Sequence, residues 1–400
     1  MQMKILFIGN YHAVNDTRLL HREIDFIYKN IDSPKIYFVK ALPQEHDRSV
    51  TSRISKYYYK DNEIIYIQFR HPKYKKYSFF KRFYYKTIFV FWFIKIIKII
   101  KPDIIQASDA KELFIGYLAK KRSKAISIYD SHEDYFRQVF DYCKNIFIKI
   151  IYSSFIYLIE LIYARSYDYV FCVDEYLLDK YKKKLYNAKK VELMRCFPNA
   201  FRTSLYEDPK RFENKNELHL VYVGNVNTFR GIIECSKYVA TYNSENNCKH
   251  VYFHIYSNKH RIIDELVKNH LIISHSTIDY PDLIKELELY DVGICLWLPI
   301  KKYHRNLPMK NFDYMGAGLP IITSNFGNLK KYIGLSQAGI CINPLSYVDF
   351  KSAINRLFDP QERIFFSNNG INFVREKNNF ENESKEYIKL IKEHEKRLNR

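Results

Sequence analysis

Glycine is scarce in this sequence, 11 in 400 residues beside 36 Tyr and 29 Phe, which excludes collagen-like and Gly-rich low-complexity chains. No C-x-x-C pair occurs among the seven cysteines, Cys143, Cys172, Cys196, Cys235, Cys248, Cys295 and Cys341. An odd, widely spaced set argues against a disulfide framework and against the usual zinc spacings, and for reduced thiols in a cytosol. Cys172 in YVFCV and Cys295 in VGICLW sit in apolar runs, where cysteine serves as a small buried hydrophobe. Long uncharged runs are missing too: Lys86 and Lys95 bracket IFVFWFI, and Lys149 and Glu160 interrupt residues 146–164, so neither supplies the roughly 20 apolar residues of a membrane span. The opening MQMKILFIGN is too short in its apolar part for a signal peptide and reads as a buried strand. There is no Asp-x-Asp pair, no G-x-x-x-x-G-K-[ST] loop and no G-x-S-x-G elbow. A metal-bridged diphosphate, a P-loop NTPase and a serine hydrolase therefore all lack support.

What is present is an ample apolar content, 47%, and a net charge of +20. The length suits two domains of ordinary size. Charge is unevenly spread: residues 1–200 hold 36 Lys and Arg against 21 Asp and Glu, and residues 51–100 alone hold 12 against 2. A local surplus of this kind implies an anionic partner. Residues 74–86 interleave five cations with seven aromatic rings. That composition predicts a basic loop entering an amphipathic helix, with Lys75, Lys76, Lys81 and Arg82 against an anionic membrane surface and the later Ile-rich part, 88–100, as a core helix. Nucleic acid is not expected, since no RNA- or DNA-binding motif accompanies the basic stretch.

Short β-branched and aromatic runs alternate with helical patterns, the sequence form of βα units and parallel sheets. A first series comprises residues 4–9, 35–40, 64–69, 103–108, 125–130 and 168–173. A second begins at 218–224 and continues at 251–257, 291–298, 319–324 and 339–344. The polar stretch with Pro198 and Pro209 divides them. The expected organisation is an α/β fold with a first domain over 1–198, a linker over 199–217, a second domain over 218–378, and a helix over 379–400, striped with Tyr387, Ile388, Leu390 and Ile391, packing on one of them. In doubly wound domains ligands bind at the carboxyl ends of the strands, and the site is expected in a cleft there.

The most informative stretch is RNLPMKNFDYMGAGLPIITSNFG, residues 305–327. Pro308 suits a helix start, and Gly316 and Gly318 an end. On the helix between them Lys310, Asp313 and Tyr314 stand at i, i+3 and i+4, on one face. A cation near a helix N-terminus can hold a diphosphate, and a carboxylate one turn on can accept from vicinal ribose hydroxyls. By spacing alone a surface Lys–Asp pair is the commoner meaning of such a pattern.

This stretch resembles the C-terminal donor motif of bacterial glycosyltransferase family 4, where Pro-x-Lys-x-x-Glu-Tyr precedes a Gly-x-Pro strand. YDSHEDYF (129–136), DYVFCVDEYLLDKY (168–181), CFPNAF (196–201) and VYVGNVNTFRGI (221–232) are similar to other family segments, in the family's order. The resemblance implies a GT-B fold of two Rossmann-like domains facing a central cleft. It implies a glycosyltransferase that takes a nucleotide-diphosphate sugar as substrate, without a cofactor, working by retention. By position, Asp313 would bind the ribose, Lys310 and Arg230 the donor phosphates, Gly224 would permit close backbone approach, and His132 would lie at the reacting centre. The sequence departs from the family where Arg305 replaces a second glutamate, Asn225 replaces a basic residue, and GNYHAVNDTR (9–18) replaces a Gly-rich loop.

His132, among Asp130, Glu133 and Asp134, can act near neutral pH on a sugar hydroxyl or leaving oxygen, or can simply be satisfied by Asp130 or Glu133. Asp16, Arg18, Asp109 and Glu133 stand at acceptor-side positions, with helix capping an equal alternative for Asp16 and Asp109. The setting expected is the cytoplasmic face of a membrane, with a lipid-linked acceptor and assembly of surface polysaccharide or a glycoconjugate. A noncatalytic sugar- or lipid-binding relative is the alternative.

Overall fold

The computed structural model describes residues 2–9, 16–44, 50–72, 79–132, 134, 146–185, 189–199 and 213–399, with the side chains of 44, 79–83, 148, 281 and 302 outside the description. Strands β1 (Lys4–Ile8), β2 (Lys35–Gln44), β3 (Thr51–Tyr59), β4 (Asn62–Pro72), β5 (Ile104–Ala107), β6 (Ile126–Ser131), β7 (Tyr169–Cys172) and β8 (Lys190–Leu193) form one sheet, in the order β3-β4-β2-β1-β5-β6-β7-β8. Only β3 runs antiparallel to its neighbour, β4. The residues of β5 and all but the first of β1 are buried, as expected of parallel strands covered on both faces. Strands β9 (Glu217–Val223), β10 (His250–Tyr256), β11 (Ile273–His275), β12 (Val292–Cys295), β13 (Ile321–Ser324) and β14 (Gly339–Ile342) form a second, parallel sheet in the order β11-β10-β9-β12-β13-β14. In both sheets the first strand is central. The chain builds outward on one side of it, then returns to the other, so a topological switch point opens between β1 and β5 and another between β9 and β12. Ligands of doubly wound sheets bind at such points.

Two compact units result: Met1–Arg195 with Ser384–Arg400, and Cys196–Glu383. The first ends a little before the expected residue 198 because Phe197 is fully buried in the second unit's core, its ring 4.4 Å from that of Phe312. Of the expected linker, residues 200–212 lie outside the described residues, and Glu217 already opens β9. The terminal helix Lys385–Leu398 belongs to the first unit, burying Tyr387, Ile388, Leu390 and Ile391, with the Tyr387 ring 5.3 Å from Phe171.

Three helices lie side by side on one face of the first sheet: Phe79–Ile100, Leu113–Ser123 and Ile146–Ala164. The first buries Phe89, Phe93, Ile96, Ile97 and Ile100, a helical stripe, so the Ile-rich stretch is a core helix. Lys75 and Lys76 lie outside the described residues. Lys81 and Arg82 fall in the first turns of this helix, and their side chains are likewise outside the description.

In the second unit His219, His254 and His275 run diagonally across β9, β10 and β11. His219 Nδ1 lies 3.0 Å from His254 Nε2, and His254 Nδ1 lies 3.0 Å from His275 Nε2. The rings of Tyr252 and Tyr256 stack on His219 and His275. Each imidazole–imidazole bond needs one donor and one acceptor, so the chain holds at most one proton beyond its neutral complement without breaking a bond.

Candidate functional site

At the switch point of the second sheet, Gly224 follows β9 directly, with φ +127° and its N–H donating to the Tyr256 carbonyl. A Cβ there would stand 3.3 Å from Lys310 Nζ in a backbone conformation L-residues rarely adopt, so glycine is needed both for the turn and for the approach of that amine. Lys310 rises from the helix Met309–Gly316, whose N-cap is Pro308. Tyr314, one turn on, fixes this helix to the sheet: its hydroxyl accepts from the Val223 N–H at 3.0 Å, and its ring lies where any Cβ on Gly293 would be. Phe312 and Met315 are buried on the same helix. Asp313 is buried as well, and its Oδ1 accepts from the Tyr280 hydroxyl at 3.2 Å. The shared face of Lys310, Asp313 and Tyr314 is thus turned toward the sheet's carboxyl edge rather than toward solvent.

The Lys310 ammonium lies 3.6 Å over the Tyr222 ring. Among the described residues no carboxylate or carbonyl pairs with it. Burial lowers its pKa to about 7, with nearby Arg230 pushing the same way and Asp313 opposing. Arg230 comes from the loop after β9, and its guanidinium stacks 4.5 Å from the Trp297 ring and 5.2 Å from Tyr303. Gly231 beside it has φ +64°, and a Cβ there would run into the Leu296 carbonyl, so the loop is pressed against the strand end that carries Trp297. Among the described residues Arg230 Nε and Trp297 Nε1 are buried donors without a partner. Unmet donors of this kind carry a free-energy cost that an acceptor-rich ligand removes. Two cations and two unmet N–H groups make an environment suited to an anion with several oxygens. Asn225 and Arg305 are both exposed, and the Arg305 carbonyl accepts from Asn328.

The first unit's switch point is built differently. His132 follows β6, and its Nε2 contacts the fully buried Asp130 carboxylate. Arg18 clamps the same carboxylate through both Nε, at 2.9 Å, and a terminal nitrogen, which also donates to the Met194 carbonyl at 3.0 Å. Burial raises the Asp130 pKa, but Arg18 and His132 outweigh it and hold the carboxyl well below its usual range. Glu23, fully buried and 3.0 Å from Arg18, is raised by burial and by Asp130 against the pull of Arg18. Gln106 donates to Glu23, and its Oε1 accepts from the Tyr387 hydroxyl at 2.6 Å.

The structure thus joins His132 to Asp130 and turns Arg18 inward. Asp16 acts as a cap, its Oδ1 accepting from the N–H groups of Arg18 and Leu19. Asp109 is buried at the N-cap position of the turn Ala110–Glu112. Glu133 lies outside the described residues. Among the described residues one trio, Glu23, Asp130 and His132, brings three donor atoms within 4.8 Å of one another. The Arg18 guanidinium already stands on both carboxylates.

Tyr222, Tyr280, Trp297 and Tyr303, and in the first unit Glu23 and Gln106, escaped the sequence reading, and Tyr387 was read only as part of an apolar stripe. Trp297 alone had a legible signal, a polar-tipped aromatic closing the apolar run VGICLWL at a strand's carboxyl end.

Residues 37–199 match the model of Glycosyltransferase Family 4. No curated protein matches the chain in sequence. Solved structures do match along nearly its whole length. A sucrose-phosphate synthase from Thermosynechococcus elongatus is 15% identical, with 98% of this chain and 99% of that one covered and a TM-score of 0.67. An α,α-trehalose-phosphate synthase (UDP-forming) from Burkholderia vietnamiensis is 10% identical, with 98% and 99% covered and a TM-score of 0.66. HepE from Anabaena, solved in complex with UDP and glucose, is 12% identical, with 98% and 100% covered and a TM-score of 0.63. At such identities the likeness is one of fold, the GT-B fold of two Rossmann-like domains, and residues 37–199 in addition are similar to Glycosyltransferase Family 4.

Proposed function

We propose that this protein transfers a sugar from a nucleoside-diphosphate donor to a lipid-linked acceptor at the cytoplasmic face of a membrane, in the assembly of a surface polysaccharide or glycoconjugate, with retention of configuration and without a metal ion. UDP-glucose is the first donor to test, since solved relatives are described as UDP-forming or as holding UDP and glucose. One observation carries the reading: Lys310 and Arg230, from separate segments, converge beside Gly224 at the switch point of the second sheet. As the bond from the sugar's anomeric carbon to the diphosphate breaks, negative charge gathers on the departing group, and these cations are set to meet it. Asp313 would accept from the ribose hydroxyls, and His132, held by Asp130, would act at the sugar.

Thermal denaturation with UDP, GDP, ADP and UDP-glucose tests the proposal, because a ligand that binds only the folded state raises the apparent midpoint according to its affinity. A shift with a nucleoside diphosphate that is lost in Lys310→Ala supports the site. No shift with any of them, or an equal shift in the variant, refutes it. Turnover of the nucleotide sugar in His132→Ala, measured beside donor affinity, separates a role at the reacting centre from a binding role.

A further inference from the structure

The helix Ile146–Ala164 presents a broad apolar face away from the sheet. Its inner face is narrow: Ser153, Glu160, Leu161 and Ala164 are buried. Glu160 anchors it, bonded to Lys180 at 3.0 Å and to the hydroxyls of Tyr129 and Tyr181. That anchoring fixes the helix's rotation, and the opposite face carries Phe147, Ile151, Phe155, Leu158 and Ile162, which are between 52% and 74% exposed. The spacing is i, i+4, i+8, i+11 and i+15, one continuous stripe of about 22 Å at the helical rise. A stripe of five large apolar side chains in water marks an interaction surface.

The charge around it identifies the partner. The three side-by-side helices Phe79–Ile100, Leu113–Ser123 and Ile146–Ala164 hold nine Lys and Arg and a single carboxylate, the inward Glu160. On their outward sides Phe91 and Ile99 stand with Lys95 and Lys98, and Phe114 with Lys121. Apolar residues among cations, with no outward carboxylate on any of the three helices, match a layer that is apolar inside and anionic at its surface. A second copy of this strongly basic chain would bring like charges together. No described helix is long and apolar enough to cross a membrane.

We infer that the Phe147–Ile151–Phe155–Leu158–Ile162 stripe inserts into the interfacial layer of an anionic bilayer, lying along it, with the lysines of the two neighbouring helices against the headgroups. This rests on the membrane-facing part of the proposed function, adds the inserting element to it, and is independent of the donor chemistry.

The test is cosedimentation of the full chain with vesicles of phosphatidylcholine containing 30% phosphatidylglycerol (about one lipid in three), against vesicles of phosphatidylcholine alone. The parent should bind the anionic vesicles at least ~10-fold more tightly, and less tightly as salt rises. The triple variant Ile151→Ser, Phe155→Ser, Leu158→Gln should lose binding by ~10-fold or more while remaining folded by thermal denaturation. In a second variant, Phe155→Trp, the emission of the introduced indole should shift to the blue with anionic vesicles and be quenched by brominated acyl chains. Equal binding by parent and triple variant overturns the inference, as does emission from the introduced indole that brominated chains leave unquenched in vesicle-bound protein. So does sedimentation of the parent as a dimer that the triple variant dissolves, which would make a second copy the occupant. Nucleotide-induced stabilisation is recorded on the same samples. Vesicle binding lost with the nucleotide shift kept removes this inference alone, and the reverse removes the donor site alone.

Discussion

Arg18 and Lys310 occupy corresponding places, each a cation at the carboxyl edge of a doubly wound sheet near its switch point, and they meet opposite surroundings. Arg18 is enclosed by acceptors: both oxygens of Asp130, a carboxylate oxygen of Glu23 and the Met194 carbonyl. Lys310 faces the Tyr222 ring, with Arg230 near enough to depress its pKa. A buried cation whose charge is matched within the protein serves the fold, since it lowers the cost of the carboxylates around it. One held against an aromatic face beside another cation is costly until an anion arrives. On the proposed function this contrast gives Arg18 a structural part and Lys310 a binding one, although sequence position made both look like ligand contacts.

The largest effect should come from breaking the closed cluster. Arg18→Ala leaves Asp130 and Glu23 facing each other without their guanidinium, and should cost on the order of 3–5 kcal/mol of stability in urea denaturation. If the midpoint barely moves, the clamp is not structural. The open cluster should respond the other way. Lys310→Ala and Arg230→Ala should each weaken nucleoside diphosphate binding by about 1.5–3 kcal/mol, the range for a charge-assisted hydrogen bond, with little loss of stability. Calorimetric titration checks the first part, and unchanged affinity in both variants would dissolve the comparison.

A pH series sharpens it. The folded-state pKa of Lys310, about 7, lies below its unfolded value of roughly 10.4. Between these values the unfolded chain binds more protons, so the Lys310 contribution to stability rises with pH across that window. Lys310→Met should flatten that rise. Diphosphate binding favours the charged amine, so donor affinity should fall from pH 7 toward pH 9 in the parent and hold steadier in Lys310→Arg. The smallest effect is expected at the histidine chain. Burial, with His219 and His275 adding to it, lowers His254 to about 4, below an unfolded value of roughly 6.5, so stability should fall as pH drops from 6.5 toward 4. His254→Gln should reduce that acid sensitivity in thermal denaturation. Burial also lowers the His275 pKa, with Glu286, which accepts from the Tyr256 hydroxyl, opposing it, so His275 adds to the same trend.

The sequence exposed those parts of the fold whose residues answer to one local rule. Parallel strands such as β1, β5 and β12 are covered on both faces and read as apolar runs. β3 went unread because its antiparallel edge position leaves most of its residues exposed, with no apolar face to show. β11 has only three residues, two of them exposed. In the candidate site, Lys310, Asp313 and Tyr314 were legible because one helical turn aligns them. Tyr222, Trp297 and Tyr303 were not, since the aromatic faces that hold the two cations belong to β9 and to the segment after β12, brought in by the sheet. The family match falls on 37–199, whereas the motif that suggested the family lies at 305–327.

The bond between Gln106 and Tyr387 spans 281 residues of chain, and it sets an order of assembly opposed to the order of synthesis. During synthesis the first sheet is made before the second unit, yet the helix that completes the first unit emerges only after the whole second unit. Until then the Gln106 amide and the surface meant for Ile391 stay uncovered, an interval in which exposed apolar surface invites aggregation. The first unit to be made is therefore the last to be finished, and a message truncated even shortly before residue 384 would yield a protein with a complete second unit and an open first one.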